Sequence, residues 1–136
     1  MNRIAVSVAF ALLSLSCQDA RPRALVLVDG SGPPHSAWVA ARAAQFEAGG
    51  RGVRVLVVGS AADAIQLARR GEAEVALVPE STPIEDFATA SHGSEAGRVL
   101  HDGAALRVLE VNAAQHPKVD GAGAKSLAAF LVSGGR

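Results

Sequence analysis

The chain has 136 residues, with 13 basic and 13 acidic side chains, one cysteine and 4% aromatic residues. That length fits a single domain. Balanced charge and few aromatics leave nucleic-acid binding without a basic stripe or stacking surface. One cysteine excludes an intramolecular disulfide, so a hydrophobic core must hold the fold unaided.

Arg3 precedes an apolar run, Ile4 to Leu15, broken only by Ser7 and Ser14. A membrane span needs about 20 apolar residues, so this shorter run predicts a signal peptide over Met1–Ser16. Cys17 follows at once. The segment Leu13-Ser14-Leu15-Ser16-Cys17 resembles a bacterial lipoprotein signal, which would put lipid on Cys17. Ser14 and Ser16 also meet the small-x-small rule of ordinary signal peptidase, and both readings cut the same bond. Either one predicts a periplasmic or cell-envelope location, with a membrane anchor if Cys17 is lipidated. Residues 17–23 read as a polar tether and 24–136 as one domain.

Ala24–Val28 is a continuous apolar run, the pattern of a strand buried on both faces. Asp29–Ser36 (DGSGPPHS) is a loop dense in Gly, Pro and Ser. Val39, Ala43 and Phe46 fall on one face of a helix over Ala37–Ala48, stopped by Gly49-Gly50. Val53–Val58 reads as a second strand. Ser60 has Asp63 three residues on, the spacing of a helix N-cap. The helix it opens carries Ala61, Ile65 and Ala68 on one face and closes at Arg69, Arg70 and Gly71. Val75–Val78 is a third buried strand, ended by Pro79. The β-α-β-α-β order predicts an α/β fold with a small, mainly parallel sheet and flanking helices. Glu80–Gly97 reads as a long connection with one helical turn near Ile84–Ala90. Leu106–Val111 reads as a fourth strand, and Asp120–Val132 as a last helix with Ala124, Leu127, Ala128 and Leu131 on one face.

Open α/β sheets bind ligands outside the carboxyl ends of their strands. Two loops stand there, Asp29–Ser36 and Gly59-Ser60-Ala61, and each leads into a helix N-terminus that favours an anion. Ser31, Ser36 and Ser60 add hydroxyl donors. The predicted site is therefore Ser31, Ser36, Gly59 and Ser60, facing a small oxyanion; the same serines also serve as caps and the glycines as turns. Asp29-Gly30-Ser31 invites comparison with a D-x-S-x-S metal site, but Pro33 stands where that motif needs its third ligand, and no metal is expected. His35, His92, His101 and His116 have no zinc spacing, and His116, before Pro117, reads as a turn residue. Without a G-x-S-x-G elbow, no hydrolase activity is expected. Trp38 reads as helix packing.

The segment Val55–Val78 (VLVVGSAADAIQLARRGEAEVALV) resembles the corresponding stretch of tungstate-binding, substrate-binding proteins of ABC transporters. Val108–Val132 (VLEVNAAQHPKVDGAGAKSLAAFLV) is similar to their tail, through Val111, Asn112, His116, Pro117, Val119, the Ala124-Lys125 pair and Leu131. The resemblance implies one lobe of a type II periplasmic binding protein. It implies a non-catalytic, cofactor-free receptor for a tungstate- or molybdate-like oxyanion, working with an ABC permease. Three departures stand out. The stretch between Pro79 and Leu106 is too short for a second lobe. Asp29-Gly30-Ser31-Gly32 replaces a Thr/Ser-rich first loop, putting a carboxylate where an oxyanion is expected. Ala61 replaces a glycine after Gly59-Ser60. An alternative follows: an envelope-anchored interaction module that has lost ligand binding and associates with a partner or itself through the face a second lobe would cover.

Overall fold

A computed structural model describes residues 23–133. The signal peptide at Met1–Ser16, Cys17 and nearly all of the tether lie outside the described residues.

The chain folds as an α/β domain. Its elements are β1 (Leu25–Asp29), α1 (Ser36–Glu47), β2 (Val53–Val57), α2 (Ala61–Arg69), β3 (Val75–Pro79), α3 (Glu85–Thr89), β4 (Gly93–His101), β5 (Ala104–Val111) and α4 (Gly121–Ser133). A short 3-10 turn, Pro33–His35, leads into α1. The five strands form one sheet in the order β2-β1-β3-β5-β4. β1 pairs parallel with β2 and with β3, while β5 is antiparallel to both β3 and β4. Only β5 therefore runs against the common direction.

Connection lengths explain this topology. Parallel neighbours need a crossover, and α1 and α2 supply two. The first carries the chain from β1 to β2, and the second carries it back past β1 to β3. Crossovers of one hand that travel in opposite directions leave their helices on opposite faces. Accordingly, Leu25, Leu27 and Leu77 pack with Val39 and Ala43 of α1 and with Leu127 and Leu131 of α4. On the other face Val28, Ala76 and Val78 pack with Ala64 and Ala68 of α2 and with Phe87 of α3. β1 and β3 lie between two layers, which is why they read as unbroken apolar runs. Arg42 of α1 donates to the Phe130 carbonyl at 2.8 Å with its guanidinium 4.0 Å above the Phe130 ring, fastening α1 to α4. No helix among the described residues is long and apolar enough to cross a membrane.

The stretch expected to be a long connection needs correction. The helical turn is there, as α3, but Gly93–His101 is a strand, so Leu106–Val111 belongs to the fifth strand rather than the fourth. β4 is an edge strand, and its half-buried positions include Gly93, Glu95 and Gly97, with Val99 its one fully buried apolar residue. That gives no period-2 apolar pattern. A bulge between Glu95 and Gly97 shifts its pairing with β5 by one residue. The β4–β5 hairpin turns through Asp102 and Gly103, at φ 52° and 78°. A two-residue turn with both central residues left-handed matches the twist of the strands, and Asp-Gly suits it best.

At the amino end of β3, the fully buried Glu74 ties four segments together. Its carboxylate accepts from the backbone N–H of Val26 at 2.7 Å, from that of Asp120 at 3.1 Å and from the Arg23 guanidinium. Arg23 also donates to the Lys118 carbonyl. A buried carboxylate is tolerable only when charge and lone pairs are met this fully.

Candidate functional site

The carboxyl ends of β1, β2 and β3 open into a cleft of about 690 Å³ at the opposite end of the sheet from Glu74. Ser31, Ser36, Gly59 and Ser60, the four residues expected from the sequence, all line it. They come from two loops that the topology forces together. Parallel pairing of β1 with β2 brings both carboxyl ends level, and the Val58 N–H to Asp29 carbonyl bond at 3.0 Å extends that pairing into the loops. The Gly30 N–H to Leu77 carbonyl bond, 2.9 Å, does the same toward β3.

The two loops differ in what they can offer a ligand. In the first, Ser31 is buried and already committed. Its backbone N–H donates to Oδ1 of Asp29 at 3.0 Å, and its hydroxyl donates to the same oxygen. Ser31 shapes the loop, and a ligand could claim its hydroxyl only by breaking the bond to Asp29. Ser36 begins α1 after the 3-10 turn, gives its N–H to the Pro33 carbonyl and lines the cleft. The second loop is more open. Gly59 and Ser60 are exposed. Ser60 caps α2 by accepting the Asp63 N–H at 3.1 Å, as its spacing predicts. A hydroxyl that accepts one bond can still donate its own proton. The first N–H groups of α2 have no partner within the helix and face the same end.

Charge is the feature that the serines alone do not reveal. Among the described residues no Lys or Arg lines the cleft. Asp29 is buried behind the lining residue Ser31, and its Oδ2 has no hydrogen-bond partner among the described residues. Asp63, in the first turn of α2, sets its carboxylate 4.0 Å from where a Cβ on Gly59 would stand. Two carboxylates behind the lining and no lining cation oppose a fully charged anion. Val57, 65% exposed at the rim, adds an apolar contact.

The four histidines are where sequence reasoning missed most. The fold gathers them into two pairs. Nδ1 of His35 lies 2.8 Å from Nδ1 of His101, and Nδ1 of His92 lies 3.0 Å from Nε2 of His116. Trp38 stacks on His101 at 4.9 Å between ring centroids, and Phe87 lies against His92 at 6.2 Å. Trp38 therefore packs against an imidazole of the hairpin as well as its own helix. Burial, and secondarily the neighbouring His92, hold His116 below the ordinary imidazole pKa. No local spacing signals these pairs, because their members stand 66 and 24 residues apart.

Comparison of the chain with protein-family models, with curated proteins and with solved structures gives no match.

Proposed function

We propose that this chain is an extracytoplasmic solute-binding module of the ABC-transport type. A small oxyanion would be held between the Ser36 hydroxyl and the Gly59-Ser60 loop, with Cys17 as the anchor to the membrane and a permease as partner. The observation that carries this reading is the gathering of Ser31, Ser36, Gly59 and Ser60 into one cleft at the carboxyl ends of parallel strands, where such sheets bind ligands. The segments that resemble tungstate-binding proteins fold as β2–α2–β3 and as β5 with α4, so both belong to the framework of this lobe. The ligand would be bound without chemistry.

Binding by this lobe alone is weak. The cleft is open, so water screens each contact, and Asp29 and Asp63 oppose negative charge. The experiment is thermal unfolding of the full chain with tungstate, molybdate, sulfate or phosphate. A ligand at about ten times its Kd adds ~1.4 kcal/mol to stability, a shift of several degrees. Ser60→Ala should abolish the shift. If none of the four anions moves the midpoint at about 10 mM, the oxyanion reading is wrong.

Val57 favours a second reading. An exposed valine at the rim of a cleft without a lining cation suits a protein partner better than an anion. In that reading the chain is an envelope-anchored interaction module. The anions then produce no shift, while Val57→Lys weakens association, measured by sedimentation, with a partner or with a second copy.

A further inference from the structure

Both ends of β4 are fastened by imidazole pairs. His101 is the last residue of the strand and meets His35, which ends the 3-10 turn before α1. His92 immediately precedes the strand and meets His116, in the loop before α4. In a nitrogen–nitrogen hydrogen bond one ring donates and the other accepts, so one of the two facing nitrogens must carry no proton. A neutral pair satisfies this. So does a pair with one added proton, which enters at an outer nitrogen and leaves the bond intact. A second proton removes the acceptor. Two N–H groups then face each other, and two positive rings stand with centroids 5.1 Å apart in one pair and 5.2 Å in the other.

We propose that the His35–His101 and His92–His116 pairs form an acid-released clamp, which holds both ends of β4 at neutral pH and lets go when each pair takes its second proton.

The surroundings do not neutralise that charge. The charged side chains on elements around β4 are Glu85 and Asp86 of α3, Arg107 and Glu110 of β5, Lys125 of α4 and Asp102 of the hairpin turn. Glu95 and Arg98 lie on β4 itself, Lys118 and Asp120 on the loop that holds His116, Arg70 and Glu72 on either side of the Gly71 turn on which His116 packs, and Arg42 and Glu47 on α1. Among the described residues none of these makes a hydrogen bond or ion pair with an imidazole. Arg98 is held by Glu95 and Glu80, Arg107 by Glu95 and the Glu80 carbonyl, and Arg42 by Gln45 and the Phe130 carbonyl. His35 is buried and Trp38 covers one face of His101, so water does little to spread the charge in that pair, while His92 and His116 are half-buried, with Phe87 against His92.

The sign follows from linkage. An imidazole that resists its proton in the folded state binds fewer protons than the unfolded chain does. The clamp is therefore at full strength above the ordinary imidazole pKa of about 6.5 and weakens as pH falls below it. Release at His35 also loosens the wall of the cleft, because His35 lies between Pro33 and Ser36, which line it. The clamp itself does not depend on what the cleft binds.

The test is an NMR titration of the four imidazoles in the full chain from about pH 8 to about pH 5, with amide exchange of β4 followed in parallel. Within each pair the two imidazoles are expected to titrate in two coupled steps, the second accompanied by loss of the nitrogen–nitrogen bond, rather than as independent groups. Protection of β4, corrected for intrinsic exchange, is expected to fall about tenfold or more. The double variant His101→Gln, His116→Gln should lose that pH dependence. Four imidazoles titrating independently near 6.5 would overturn the proposal, as would β4 protection that is flat with pH or that falls equally in the double variant. If the double variant does not fold, the wild-type titration decides alone.

Discussion

Ser31 gives both its backbone N–H and its hydroxyl to one oxygen of Asp29, two residues earlier, while the other oxygen of that carboxylate is buried without a partner among the described residues. The pair builds the wall of the cleft and also sets its charge. Asp29→Asn keeps an acceptor for Ser31 and removes the negative charge. In calorimetry this variant should bind tungstate or molybdate about five- to tenfold more tightly than the wild type, equivalent to ~1 kcal/mol of relieved repulsion. Equal or weaker binding would mean that Asp29 does not act on the ligand through charge. Ser31→Ala should lower stability by ~1–2 kcal/mol in denaturant unfolding, because Asp29 loses one of its two donors.

The Glu74 network ties the chain together through a buried charge, so its loss should be costly. Glu74→Ala removes the partner of Arg23 and strips the Val26 and Asp120 N–H groups of their acceptor. The loss should reach ~3–5 kcal/mol by urea unfolding, enough to unfold a marginal domain. Glu74→Gln keeps one acceptor oxygen and should lose clearly less. A Glu74→Ala variant within ~1 kcal/mol of wild type would show that the cluster is replaceable by water.

Asp120 gives the chain part of its acid sensitivity. Its carboxylate accepts the Gly123 N–H at 2.9 Å and pairs with Arg51 at 2.8 Å. The hydrogen bond from Gly123, then the bond from Arg51, hold it below the usual carboxylate range. A carboxyl whose folded pKa is depressed contributes stability above its unfolded pKa, and that contribution disappears as pH falls through the folded value. Asp120→Asn keeps the cap on α4 and removes the titration, so its stability should fall less than the wild type's below about pH 4. Parallel acid limbs for the two proteins would assign the acid sensitivity elsewhere.

The framework was legible where burial is complete and periodic. β1 and β3 are apolar on both faces, and Ser60 with Asp63 announces α2, so these elements and the cleft between their loops follow from short-range patterns. β4 was not legible from apolar periodicity, because an edge strand with glycine and glutamate at its half-buried positions carries none. Asp102-Gly103 was the signal that could have revealed it. The cleft's residues were legible but its electrostatics were not. Nothing in the order Asp-Gly-Ser says that Asp29 takes both donors of Ser31. The histidine pairs were illegible for a plainer reason: each joins segments that only the completed sheet brings together.

Gly30 offers a test of how the two loops are held against each other. It lies beside the amino end of α2, and a Cβ there would stand 2.7 Å from the Ala64 Cβ and 3.2 Å from the Ser60 carbonyl oxygen. The chain can pass this close only without a side chain. Gly30→Ala should therefore push the first loop away from α2 and lower stability by ~1–3 kcal/mol. Ala64→Gly removes the nearer of the two obstacles but weakens the helix by ~1 kcal/mol on its own. If the clash with Ala64 dominates, the double variant should be more stable than the sum of the two single losses implies, with a coupling of at least ~0.5 kcal/mol. Strict additivity would assign the penalty instead to the Ser60 carbonyl and the backbone of α2, which Ala64→Gly leaves in place.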